Sequence, residues 1–99
     1  MDVEKYTVDL PVLYYGINYG RTISISFTEA KIRPYKMGRV MELPKAITIR
    51  FPSIDIDFKG ISVKEDEAII FTFSTAKKDV GQVRVLKYML RRFVGLDLK

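Results

Sequence analysis

Apolar and polar residues alternate with a period of two along most of this chain, and that pattern commits it to β-sheet. Ile23, Ile25 and Phe27 alternate with Thr22, Ser24, Ser26 and Thr28. Successive side chains of a strand point to opposite faces, so three apolar groups are expected on a buried face and the hydroxyls on the other. Ile47, Ile49 and Phe51 repeat the pattern against Thr48 and Arg50, and Ile54, Ile56 and Phe58 repeat it against Asp55 and Asp57. Pro52 divides these two segments because it has no N–H to give to a ladder. Lys59-Gly60 predicts a tight turn into Ile61 and Val63, and Lys64-Glu65-Asp66-Glu67 predicts the next connection. Ile69, Phe71 and Phe73 close the series, with Ile70 on the opposite face marking a more central strand. A first strand is expected within 6–14, pushed toward an edge by Pro11. The stretch 29–45 contains Pro34, Gly38 and Pro44 and predicts a long loop with a short helical turn at 37–41.

One segment has helical spacing. At about 100° per residue, Val83, Leu86, Met89, Leu90, Phe93 and Val94 share a face, which predicts a helix over 80–94. Asp79 with Gln82 resembles a capping box at its start, and Gly95 is a candidate helix end. Strands joined by short turns and followed by one helix predict an α+β fold: an antiparallel β-sheet of about five to six strands with one C-terminal helix packed on a face. A chain of 99 residues without internal repeat or low-complexity linker fits a single domain, 1–99.

Histidine and cysteine are both absent. These side chains supply most acid-base catalysis at neutral pH, most activated nucleophiles and most transition-metal ligands. No catalytic residue, no metal site and no cofactor is therefore expected, and the chain is expected not to be an enzyme. The strongest contrary case is Asp55 with Asp57, which project from one face of a strand and would suit Mg²⁺ in a nuclease. Such a site needs a further carboxylate, for which Glu42 or the turn Glu65-Asp66-Glu67 are the sources. Polar residues on the outer face of an amphipathic strand explain both aspartates more simply. Ser24, Ser26 and Ser53 have no histidine to activate them.

The longest apolar runs, such as 68–71, fall far short of the ~20 residues of a membrane-spanning helix, so no membrane span is expected. The start Met1-Asp2-Val3-Glu4-Lys5 has no apolar signal core, and an intracellular location is the expectation. Asn18 and Gln82 are the only side-chain amides. Few thermolabile residues among many charges predict a thermophilic source.

Seventeen basic residues face 12 acidic ones, giving a net charge of +5. On the expected helix Arg84, Lys87 and Arg91 form a ridge, with Lys77, Tyr88 and Arg92 nearby and no acid between Asp79 and Asp97. The expected loop adds Lys31, Arg33, Lys36, Arg39 and Lys45 around Tyr35, a mixture of charge and stacking surface that suits nucleic acid. A solvated basic face is the plainer explanation. Tyr14, Tyr15 and Tyr19 cluster about Gly16 and Gly20, where Tyr15 and Tyr19 would anchor a partner or, more simply, cover an end of the core.

Thr22-Ile23-Ser24-Ile25-Ser26-Phe27 and the closing Val83-Arg84-Val85-Leu86-Lys87-Tyr88-Met89-Leu90-Arg91-Arg92-Phe93 resemble small proteins of crenarchaeal filamentous viruses, the lipothrixviruses typified by Acidianus filamentous viruses, with relatives in rudiviruses. The resemblance implies a viral protein in the cytoplasm of a thermoacidophilic host and carries no assigned activity. Ile69 to Ser74 followed by Asp79 and Val83-Arg84 is also similar to the strand-helix end of an archaeal class of dimerisation subunits, from which the N-terminal half departs.

The function expected is a non-enzymatic interaction module, with a homodimer among the options. It would engage a host or viral macromolecule through Arg84, Lys87, Arg91, Arg33, Lys36, Arg39, Tyr15 and Tyr19. Sequence-independent nucleic-acid binding and an Mg²⁺-dependent nuclease are the alternatives.

Overall fold

In a computed structural model of the chain, residues 5–35 and 43–97 are described, with side chains as far as 92. They form seven strands, β1 (Lys5–Tyr6), β2 (Pro11–Tyr14), β3 (Ile17–Ser26), β4 (Glu29–Pro34), β5 (Ala46–Arg50), β6 (Asp55–Glu65) and β7 (Ala68–Phe73), followed by helix α1 (Val80–Asp97). All pairings are antiparallel.

The sheet closes on itself. Two three-stranded meanders, β2-β3-β4 and β5-β6-β7, meet at both margins, where β2 pairs with β5 and β4 pairs with β7. Closure leaves none of these six strands with an unpaired edge, the condition that exposes sheets to edge-to-edge association. Each meander holds a long middle strand, of 10 residues in β3 and 11 in β6. Both long strands carry a glycine where the neighbouring backbone comes close. A Cβ on Gly20 would overlap the Arg33 carbonyl oxygen, and one on Gly60 would overlap the Thr72 carbonyl oxygen. Tight bends of this kind are where small barrels place glycine.

Inside the barrel lie Val12, Ile25, Ala30, Ile32, Ile47, Ile49, Phe51, Ile56, Phe58, Phe71 and Phe73. The spacing of β5, β7 and the first half of β6 thus delivers the buried face that the alternation predicts. Leu86 and Leu90 of α1 belong to the same buried cluster, and Val83 and Met89 pack against it. Phe93 and Val94 lie outside the described side chains.

Several expectations are corrected. The stretch 29–34 is strand β4, because Glu29, Lys31 and Arg33 alternate with the buried Ala30, Ile32 and Pro34. The helical turn expected at 37–41 lies outside the described residues. Lys59-Gly60 is no turn: β6 passes straight through it, and Ile61 and Val63 then project outward and stay exposed. Ile54 is exposed as well. Pro11 heads β2, which is paired on both sides, because proline's missing N–H is tolerated at the first residue of a strand. Gly95 does not end the helix, which continues to Asp97. A 3-10 turn at Lys77–Asp79 precedes α1, and Asp79 lies within it.

The hydroxyl face of β3 is buried as well. The register shifts between Thr22 and Ser24, and Thr22, Ser24 and Ser26 are all buried. Thr22 replaces ladder bonds where β1 and β2 are interrupted: its hydroxyl accepts the Leu10 amide at 2.9 Å and donates to the Val8 carbonyl. Ser26 Oγ accepts the amides of Thr28 at 3.2 Å and Glu29 at 3.1 Å, closing the turn into β4.

Candidate nucleic-acid interface

Arg84, Lys87, Tyr88, Arg91 and Arg92 recur every three or four residues along α1, so the helix gathers them on one stripe away from Leu86 and Leu90. Together they border a shallow depression. Arg92 donates to the Tyr88 hydroxyl at 2.6 Å, with its guanidinium 5.8 Å from the ring centroid. Tyr88 is 56% exposed, so its ring remains accessible.

Phe27, at the turn between β3 and β4, joins this surface. Lys87 Nζ lies 5.2 Å and the Arg91 guanidinium 5.3 Å from its ring centroid. Both cations are held by the ring quadrupole without losing charge. Among the described residues, no carboxylate lies within 4.0 Å of Arg84, Lys87, Arg91 or Arg92.

Cations on the barrel behave differently. Arg21 pairs with Asp9 at 2.5 Å, Arg50 with Asp55 at 3.0 Å and Lys31 with Glu65 at 3.9 Å. Hydrogen bonds to Asp9 and Tyr35 hold the Arg21 guanidinium protonated even above its usual range, and Asp55 does the same for Arg50. These three barrel cations are therefore paired, whereas the four on α1 have no such partner among the described residues.

Of the residues expected to form the basic loop, Arg33 is exposed on β4, is the register partner of Arg21, and lines with Arg21 and Tyr35 a cleft of about 560 Å³. It stands apart from the α1 group. Lys36 and Arg39 lie outside the described residues, as does Glu42.

The tyrosine turn divides into two parts. Tyr15 is 83% exposed and has a φ of 52°, followed by Gly16 at 77°, the pair of positive angles that a two-residue type I′ hairpin requires. Tyr19 is half-buried, its hydroxyl has no hydrogen-bond partner among the described residues, and burial, together with the nearby Tyr14, pushes its pKa above the usual tyrosine value. Its ring meets Tyr14 edge-on at 6.0 Å. Tyr19 therefore belongs to the margin of the core, and Tyr15, whose ring lies 4.5 Å from that of Tyr14, is the exposed ring of the turn.

Asp55 and Asp57 project outward, as alternation predicts, and each is engaged across the strand pair. Arg50 donates to Asp55 at 3.0 and 3.2 Å, and the Thr48 hydroxyl donates to Asp57 at 2.6 Å. Among the described residues, no group of three acidic side chains is arranged to hold a metal ion.

No described helix is long and apolar enough to cross a membrane. None of the family models, curated proteins or solved structures compared with the chain matches it.

Proposed function

We propose that this protein is a binding module without catalytic activity, which holds the sugar-phosphate backbone of nucleic acid on α1 without reading sequence. The observation that carries this reading is the group of four cations, Arg84, Lys87, Arg91 and Arg92, with no carboxylate partner among the described residues, on one stripe with the exposed Tyr88. Phosphates attract such a surface at any sequence, because binding releases their condensed counterions. In this reading α1 lies against the barrel, with Leu86 and Leu90 seated in the core and the cationic stripe turned outward.

The setting belongs to the same proposal. Scarce amides and the likeness in strand and helix segments support an intracellular role for a viral protein in a hot-habitat archaeal host.

The test is fluorescence anisotropy with labelled random duplex and single-stranded DNA. Arg84→Gln with Arg92→Gln is expected to weaken binding by about tenfold on both, whereas Arg50→Gln, a barrel cation paired with Asp55, leaves it unchanged. Absence of binding by the unaltered protein, or equal losses in both variants, contradicts the reading.

A further inference from the structure

An apolar cleft of about 390 Å³ opens beside the cationic stripe, lined by Phe27, Thr28, Thr72, Phe73, Val80 and Val83, together with Ser74 and Thr75 at its rim. Its wall is nearly all carbon. The surface of α1 changes character along this side. Val80 and Val83 line the cleft, and Lys87 and Arg91 follow at the next helical turns, over the same Phe27 ring that forms the cleft wall.

An apolar recess that shares its Phe27 wall with two cations suits a ligand that joins a flat carbon-rich body to an anion. A nucleotide has that form, a base attached to its own phosphate. We propose that the cleft seats one unstacked base of a single strand while Lys87 and Arg91 hold the adjoining phosphates; this rests on the nucleic-acid reading of α1. The partly buried Phe27, with Val80 and Val83, supplies apolar surface for the base. Duplex DNA keeps its bases stacked and paired, so it engages the cationic stripe alone.

The experiment compares two fluorescein-labelled single strands of equal length, an oligothymidylate and the same backbone with abasic sites, beside a duplex control. The oligothymidylate is expected to bind roughly tenfold more tightly than the abasic strand. Val80→Phe, which fills the cleft without changing charge, is expected to erase that difference and leave abasic and duplex binding as they were; a thermal melt confirms that the variant is folded. Equal affinity for base-bearing and abasic strands overturns the base seat while leaving the phosphate surface standing. A difference that survives in folded Val80→Phe also overturns it. Failure of all three nucleic acids to bind overturns both readings.

Discussion

The Leu10 amide donates to the Thr22 hydroxyl at 2.9 Å across the point where β1 gives way to β2, and the same hydroxyl donates to the Val8 carbonyl. One side chain therefore satisfies two buried main-chain groups that the interrupted strand leaves outside the ladder. Thr22→Val keeps the shape and removes both bonds. It is expected to cost about 2 to 3 kcal/mol in denaturant unfolding, and Thr22→Ser less than half of that, since an unmet buried donor loses its full desolvation energy.

Gly20 and Gly60 set the two long strands of the barrel against the backbones of β4 and β7. Either one changed to alanine forces a main-chain carbonyl aside. Each substitution is expected to destabilise the fold by about 3 kcal/mol or more, read as a lowered unfolding midpoint. Gly81 provides the control, since nothing lies within 4 Å of an added Cβ there. Gly81→Ala near the start of α1 is expected to be neutral or stabilising.

Tyr19 should titrate late. Burial, then the neighbouring Tyr14, raises its pKa above the usual value of 10.0. The unfolded chain releases this proton near about 10 while the folded chain retains it. Stability is accordingly expected to fall as pH rises above about 10, until the folded state ionises too. An ultraviolet titration should show a tyrosine step above the usual value. Tyr19→Phe is expected to abolish the late step and, by removing a buried hydroxyl without a partner, to stabilise the fold by about 1 kcal/mol at neutral pH.

The hot-habitat setting has its own readout. A closed barrel with few thermolabile amides is expected to melt above about 90 °C by calorimetry. A midpoint in the ordinary range of about 45–65 °C would remove the thermophilic part of the proposal.

What the sequence disclosed follows from what alternation encodes. It reports which face of a strand is buried, so Ile47, Ile49, Phe71 and Phe73 were legible, as was the helical face of Leu86 and Leu90. It does not report which strands become neighbours. Closure depends on β2 meeting β5 and β4 meeting β7, pairings between segments distant in sequence. Strand β4 escaped notice because its inward residues are the small Ala30, Ile32 and a proline, and Pro34 reads as a breaker until Gly20 is seen opposite it. Gly60 misled for the same reason: glycine marks close backbone approach as readily as a turn.

The site was half legible. The spacing of Arg84, Lys87 and Arg91 in the sequence places them on one helical stripe. The contribution of Phe27 could not be read that way, because only the folded hairpin brings its ring beneath Lys87 and Arg91. Its position at the end of the β3 alternation, next to a turn, was the available signal.

Whether the cations of α1 hold phosphates is decided by the salt dependence of single-strand binding. If Arg84, Lys87, Arg91 and Arg92 each neutralise one phosphate, the logarithm of the affinity should fall against the logarithm of salt concentration with a slope of about −3. Arg84→Gln with Arg92→Gln should reduce that slope to about half. An affinity indifferent to salt, or a slope unchanged in the double variant, would contradict the account.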